Sequence, residues 1–560
     1  MECPNAPIAA DDAGAVRSLP GPGRALPSFL NSNETERRLP TPNLPVDAYR
    51  PDQPGLRVPS VDTTRQPPLL MNTRVAVRKV RFEGGTVYPL SDLREHFQPV
   101  IGREVTLAEL IEITRRLTQR YQQDGYLLSY AYLPPQDFAD GRVRVVLVEG
   151  YIHDYQVEGD IGAARAYLVQ LLDRLKAERP LTRESFERYT SLAGRIPGVT
   201  FQAQVPPPAT TDGATRLLAQ VSRKPVTTTL SLNDGSRDDL QALLGASSNA
   251  QTRFAEQLSA SVLVPPGEDK EHYYRLDYSQ FLDAEGSKLL LSASRYRSDP
   301  KARIRLDNGI DLTQHRENER YSVGISQSLI ASPSEWLEVV GRFYVVNDRI
   351  DYQVVGFPLR LDSETDIRAL SFEGDWRKAD ARRLRILSAG VYQGLDRLGA
   401  NTNADYDLDF LRLRVSGVQS DNFSDNWQGV ASAAAYWSND SLPDSERAVF
   451  GGQNFGRGYP SDQGSGDKGW GLAYELNYSF RRDAGWLKVV QPYVALDTAR
   501  AWFNALDVRD SKMSSAALGL RFGDMRYYNI ALEVAKPMSD MALDSFNRRP
   551  RLNLSFSYQL

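Results

Sequence analysis

From residue 224 to the C-terminus, apolar and polar side chains alternate with a period of two. Tyr274, Leu276 and Tyr278 interleave with Arg275, Asp277 and Ser279. Trp470, Leu472, Tyr474, Leu476, Tyr478 and Phe480 interleave with Gly471, Ala473, Glu475, Asn477 and Ser479. The chain ends the same way, with Leu552, Leu554, Phe556, Tyr558 and Leu560 set against Asn553, Ser555, Ser557 and Gln559. This periodicity predicts strands with one apolar face. About sixteen such segments begin near 225, 251, 270, 286, 316, 335, 364, 383, 404, 427, 446, 469, 488, 512, 527 and 551, with no helix between them. The ninth changes phase, from Tyr406, Leu408 and Phe410 to Leu411, Leu413 and Val415, which requires either a bulge or a later strand start.

The period is different in residues 74–223. Val80 and Phe82 predict a strand that stops at Gly84-Gly85, and a short helix is expected near Leu90–Phe97. Thr106 and Glu109 form a capping box, with Val105 and Leu110 placed as a hydrophobic staple. The helix they open carries Leu107, Leu110, Ile111, Leu117 and Tyr121 on one face and stops at Gly125. Strands at Tyr126–Leu133 and Val143–Val148 complete a β-α-α-β-β unit over 74–150. The same order returns over 151–223, with strands at Ile152–Val157, Val199–Val205 and Thr215–Val221 around helices at Ala163–Leu175 and after Thr182. Residues 1–73 hold 13 of the 33 prolines and read as an arm and linker, with one short helix at Ser28–Leu39.

Composition narrows the class. The 560 residues are 41% hydrophobic, without the run of about 20 apolar residues that a membrane helix needs. A net charge of −4 gives no basic field for nucleic acid. The lone Cys3 and the scattered His96, His153, His272 and His315 offer no metal-ligand spacing, so neither metal nor cofactor is expected. Neither His272 nor His315 lies in a nucleophile context, so no enzymatic activity is expected. A soluble β-sandwich also alternates. An outer-membrane barrel, however, needs long strands, an aromatic outer face and a polar lumen, and all seven tryptophans fall between Trp336 and Trp502. The expectation is a 16-stranded antiparallel transmembrane barrel over 224–560, lined by residues such as Arg275, Asp277, Glu475 and Asn477.

Phe455-Gly456-Arg457-Gly458-Tyr459 lies in a Gly-, Ser- and Asp-rich loop, expected to turn inward over 453–468. Further on, Tyr493, Ala495, Asp497 and Ala499 share the face that parity assigns to the lumen. A carboxylate in a buried wall wants a cation, so Arg457 is expected to reach Asp497 while Gly456 and Gly458 let the backbone come close. This pairing resembles the Omp85 superfamily, in which a loop carrying V/L-R-G-Y/F enters the barrel and its Arg meets an Asp on a nearby strand. Here Gly456 stands where Val or Leu is usual, and Leu560 stands where the insertion signal usually ends in Phe. Within that superfamily the whole chain resembles a two-partner secretion transporter of the TpsB group, typified by filamentous haemagglutinin and haemolysin secretion proteins. The stretch Tyr121-Gln-Gln-Asp-Gly-Tyr-Leu-Leu-Ser-Tyr-Ala-Tyr-Leu-Pro-Pro-Gln136 resembles that group's first POTRA domain.

The resemblance implies two N-terminal POTRA domains in the periplasm of a Gram-negative cell and a barrel in outer-membrane lipid. It also implies a monomeric pore that exports one large exoprotein, of adhesin or haemolysin type with an N-terminal secretion domain, without ATP. The Ser28–Leu39 segment stands where that group has a plug helix. Met1-Glu2-Cys3-Pro4 lacks a basic start and an apolar h-region, so a leader is expected to have been removed. A general outer-membrane protein insertase and a diffusion porin remain the alternatives.

Overall fold

The structure, a computed structural model, describes residues 71–560 apart from 234–240, 266–269, 300–303, 306–310, 462, 505–509, 525–526 and 560. The Ser28–Leu39 helix and Cys3 therefore lie outside the described residues. No helix among the described residues is long and apolar enough to cross a membrane.

The first α+β unit comprises β1 (Arg74–Ala76), β2 (Lys79–Glu83), α1 (Leu90–Phe97), β3 (Glu104–Thr106), α2 (Leu107–Gln123), β4 (Tyr130–Tyr132) and β5 (Arg142–Val148). The capping box forms as the spacing predicts. Glu109 N donates to Thr106 Oγ1 at 3.2 Å, and Thr106 N donates to Glu109 Oε2 at 3.0 Å. In the main sheet β5 is central, parallel to β2 and antiparallel to β4, while β1 and β3 pair separately. The second unit runs β6 (Tyr151–Glu158), α3 (Arg165–Ala177), α4 (Arg183–Ala193), β7 (Val199–Gln204) and β8 (Ala214–Arg223). Its last strand is again central, parallel to β6 and antiparallel to β7, so the sequence repeat is also a repeat of topology.

Glu149 ties the first unit together. It accepts from Thr86 N at 2.7 Å, Thr86 Oγ1 at 2.6 Å, Val87 N at 2.8 Å and the Tyr121 hydroxyl at 3.0 Å. Burial pushes its carboxyl up, but these bonds outweigh it and hold the group below the usual carboxylate range. A pKa lower in the folded state gives stability that is present above the unfolded value, about 4.3, and lost as pH falls through the folded one. Amide protection over 71–150 of the full chain, corrected for intrinsic exchange, should therefore fall as pH drops through that window. Glu149→Gln should remove the dependence and cost about 1–3 kcal/mol. Hydrogen exchange read by mass spectrometry checks both, and protection independent of pH would contradict them.

The remaining chain is a closed antiparallel barrel. Its strands are β9 (Val226–Asn233), β10 (Gln241–Asn249), β11 (Gln257–Val264), β12 (His272–Phe281), β13 (Lys288–Ser298), β14 (Asp311–Ala331), β15 (Glu335–Val354) and β16 (Arg360–Ala379). They continue as β17 (Arg383–Gly394), β18 (Leu411–Asn422), β19 (Trp427–Ser438), β20 (Lys468–Tyr478), β21 (Leu487–Trp502), β22 (Ser511–Gly523), β23 (Tyr528–Pro537) and β24 (Arg551–Gln559). Short accessory strands at Ile304–Arg305, Asn401–Thr402 and Phe480–Ala484 extend three hairpins of this sixteen-stranded ring. β24 closes it against β9, from Ser555 opposite Asn233 to Gln559 opposite Thr229. Outward positions are apolar and exposed, as at Leu496 (64%) and Leu552 (68%), whereas inward neighbours such as Asp497 (6%) and Asn553 are buried.

One wall strand escapes the expected set, and one expected strand is not part of the wall. β10 escapes the pattern because Gly245, Ala246, Ser247 and Ser248 give its middle little contrast between faces. The segment near 446 is not a wall strand. Ala448–Phe450 pairs with Gly464–Gly466 as a short hairpin inside the long β19–β20 connection, 439–467, which is wider than the expected 453–468. The phase change near 410 needs no bulge, because β18 starts at Leu411 and Phe410 turns inward against Tyr344 and Tyr392.

The second α+β unit sits on the barrel end that carries the short turns. Tyr167 stacks on Phe281 with ring centroids 4.4 Å apart, and the Arg195 guanidinium lies 4.0 Å from the Trp336 ring centre. Arg188 donates to the carbonyls of Glu285, Ser328 and Leu329 at 2.9, 3.2 and 3.3 Å, bridging two turns. Phe281, Ala284, Ala331 and Trp336 belong to the same buried cluster as the unit's own core.

Candidate functional site

The β19–β20 connection enters the barrel from the end opposite the α+β units. Its fold depends on glycines at two points of close approach. Gly456 has φ +93°, and a Cβ on Gly458 would lie 2.6 Å from Pro537 N on the wall. Phe455 and Tyr459 flank Arg457 and are both buried, Phe455 in a cluster with Phe450, Tyr436 and Met513. Small inward residues on the wall, Ala495, Ala499, Ala517, Ala531 and Ala535, leave room for the loop.

The guanidinium of Arg457 does not pair with Asp497 as the sequence suggested. Nη1 donates to Glu533 Oε2 on β23 at 2.6 Å, and Nη2 donates to Glu475 Oε2 on β20 at 2.9 Å. Asp497, on β21, instead accepts from backbone: Gly456 N at 2.5 Å and Arg457 N at 3.4 Å. The physical reason is reach. With the loop backbone already against β21, the long Arg side chain extends past Asp497 to carboxylates on neighbouring strands, and the short Asp side chain captures the amides. Gly458 N donates to Ser515 Oγ at 3.0 Å, and Ser539 N donates to the Tyr459 hydroxyl at 3.1 Å.

Further groups complete the cluster. Arg521 on β22 donates to both oxygens of Glu475, at 2.6 and 2.8 Å, and to Asn477 Oδ1 at 3.1 Å. The Tyr493 hydroxyl donates to Glu533 Oε2 at 3.0 Å, and Arg521 lies 4.0 Å from the Tyr493 ring centre. Asn553 Nδ2 on β24 donates to the Arg457 carbonyl at 3.2 Å and to Glu533 Oε1 at 3.1 Å. Two guanidiniums thus sit among three carboxylates, all nearly out of solvent, a setting in which each charge needs its partners.

Glu475 and Asn477, expected only as lumen lining, are part of this cluster. Arg275 and Asp277 are not. They pair with each other on β12 at 2.6 and 2.8 Å, facing inward while Tyr274 and Leu276 face out. Sequence reasoning did not single out Glu533, Arg521, Ser515 and Asn553. A signal existed: Glu533 and Arg521 are charges on the inward phase of strongly apolar strands, between Leu532 and Val534 and between Leu520 and Phe522. Among the described residues no cluster of His, Cys, Asp and Glu could hold a metal ion.

Residues 75–150 match the POTRA domain, ShlB-type, and residues 220–522, more than half of the chain, match the haemolysin secretion/activation protein family ShlB/FhaC/HecB. The heme/hemopexin transporter protein HuxB of Haemophilus influenzae (strain 86-028NP) is 18% identical over 459 residues, 79% of each chain. The outer membrane transporter CdiB of Dickeya dadantii (strain 3937) is 22% identical over 430 residues, 72% of each. In fold, the chain is similar to CdiB from Escherichia coli, with a TM-score of 0.69 at 18% identity, covering 90% of this chain and 92% of that one. With a barrel closed by sixteen strands and a POTRA domain before it, the chain belongs to the haemolysin secretion/activation protein family ShlB/FhaC/HecB, outer-membrane β-barrel transporters of two-partner secretion.

Proposed function

We propose that the barrel exports one large exoprotein, captured in extended form in the periplasm by the two α+β units and passed to the cell surface through the lumen. Residues 151–223 act as a second POTRA domain. The reading is carried by the loop itself, which crosses the lumen and is held by Arg457 between Glu475 and Glu533. A diffusion porin has no use for α+β units docked on its mouth. An insertase of the same superfamily usually carries more POTRA domains than the two repeats seen here.

The free edges of the second unit, β6 and β7, each pair only with β8. An extended segment adds to such an edge through main-chain hydrogen bonds, which favours an unfolded passenger over a folded one. Polar inward side chains such as the Arg275–Asp277 pair give a passing chain few apolar contacts. No nucleotide is needed if folding outside the cell prevents return.

The test is export of the candidate partner, an exoprotein encoded beside this chain, from cells with and without it. Loss of surface or medium exoprotein without the chain, restored by complementation, is the expected result. Equal export in both strains would overturn the reading.

A further inference from the structure

The inward loop is fastened at a second place that the Arg457 motif does not include. Glu446 lies on the descending arm, eleven residues before Arg457, and is fully buried (0% exposed). Three strands converge on its carboxylate. The Tyr344 hydroxyl on β15 donates to Oε2 at 3.1 Å, Arg412 Nη2 on β18 lies 3.0 Å from Oε2, and Arg320 Nη1 on β14 lies 3.7 Å from Oε1. Arg412 Nη1 also donates to the Glu446 carbonyl at 2.9 Å. Four residues earlier, Leu442 is buried among Tyr344, Val346, Ile367, Ala369, Tyr392 and Phe410. Its N–H donates to Asp467 at 3.0 Å, so the two arms of the loop are also joined at the base.

The positions of these strands in the ring give the contact its meaning. Counting from β9, β15 is the seventh strand and β23, which holds Arg457 through Glu533, is the fifteenth. Eight strands apart in a ring of sixteen is directly across. The Glu446 partners lie on the sixth, seventh and tenth strands and the Arg457 partners on the twelfth and fifteenth. The loop is therefore tied to two separate arcs of the wall, by a carboxylate on one and a guanidinium on the other.

A buried carboxylate is retained only where cations and donors replace its water, and here they come from the wall rather than from the loop. Taking away the charge removes the reason for the descending arm to lie against β14, β15 and β18, while the tip keeps its own contacts. We propose that Glu446 is a second anchor of the inward loop, a positioning residue that keeps its own arc of the lumen covered independently of Arg457. This rests on the proposed function, extended to take the lumen-crossing loop as what closes the pore at rest.

The experiment is planar-bilayer conductance of the full chain, with heat-modifiable migration as the measure of an intact barrel. Glu446→Gln, nearly isosteric but neutral, should raise open-state occupancy at least about tenfold. Glu446→Asp, which keeps the charge, should stay near the parent. Combined with Arg457→Ala, the effects on the logarithm of occupancy should add, as for independent sites. Deleting 441–466 separates the two readings. If that deletion leaves the pore closed, the loop is not the barrier and the underlying reading fails. If the deletion opens the pore but Glu446→Gln does not, the second anchor alone is overturned, and strongly non-additive effects would overturn its independence. Should Glu446→Gln fail to give a heat-modifiable barrel, Tyr344→Phe and Arg320→Gln replace it, and parent-like closure in both would overturn the proposal.

Discussion

Arg457→Ala is expected to lower export of the cognate exoprotein at least about tenfold while leaving a heat-modifiable barrel in the membrane, because breaking a buried ion pair from one side costs about 3–5 kcal/mol. The loss falls unevenly. Glu475 keeps both of its bonds from Arg521, whereas Glu533 keeps only neutral donors, the Tyr493 hydroxyl and Asn553 Nδ2. The uncompensated charge thus sits at Glu533, next to the loop backbone that must stay seated. Adding Glu533→Gln to Arg457→Ala should recover part of the export lost, and a double-mutant cycle on secreted exoprotein measures the coupling.

The same geometry changes what is expected at Asp497. Exchanging the charges of Arg457 and Asp497 should not restore export, because Asp497 holds backbone amides rather than the guanidinium. Asp497→Ala should weaken export on its own by leaving two buried amide donors without their acceptor. Rescue by the exchange would contradict the arrangement. Undiminished export by Arg457→Ala would remove the loop tip from the mechanism altogether.

How far the sequence revealed this site follows from the range of each interaction. Capping boxes and strand parity are local, so Thr106 with Glu109 and the inward face of Tyr493, Ala495, Asp497 and Ala499 were legible from spacing alone. Barrel closure was legible from the sustained period. The partner of Arg457 was not, because a guanidinium reaches across several strands and parity gives only the face, not the neighbour. Glu475, Asp497 and Glu533 all lie on that face within a few strands of the tip. Glu446 was harder still. It sits in a loop without periodicity, its partners are 102 residues away at Tyr344 and 34 away at Arg412, and a solvated loop carboxylate would read identically. The expected strand near 446 was, in effect, the descending arm: Phe450 is buried as a strand residue would be, but against the loop's own Phe455.

Deleting 151–223 is expected to abolish export while the barrel still forms, and a milder change should distinguish capture from mere support. The second unit covers apolar wall residues, Phe281 and Trp336 among them, so its removal exposes surface as well as losing a binding edge. Arg188→Ala is the finer probe. It takes away the three carbonyl contacts that bridge the β12–β13 and β14–β15 turns, together with the ion pair to Glu285 at 3.5 Å, without touching β6 or β7. If the unit must be held in register with the lumen for a captured segment to be handed on, Arg188→Ala should cut export several-fold while binding of exoprotein to the purified transporter stays unchanged. If the unit only steadies the barrel, export should instead track the amount of heat-modifiable barrel in both variants. Persistent export by the deletion would contradict a capture role for β6 and β7 and leave only β2 and β4, the free edges of the first unit's main sheet, to receive the exoprotein.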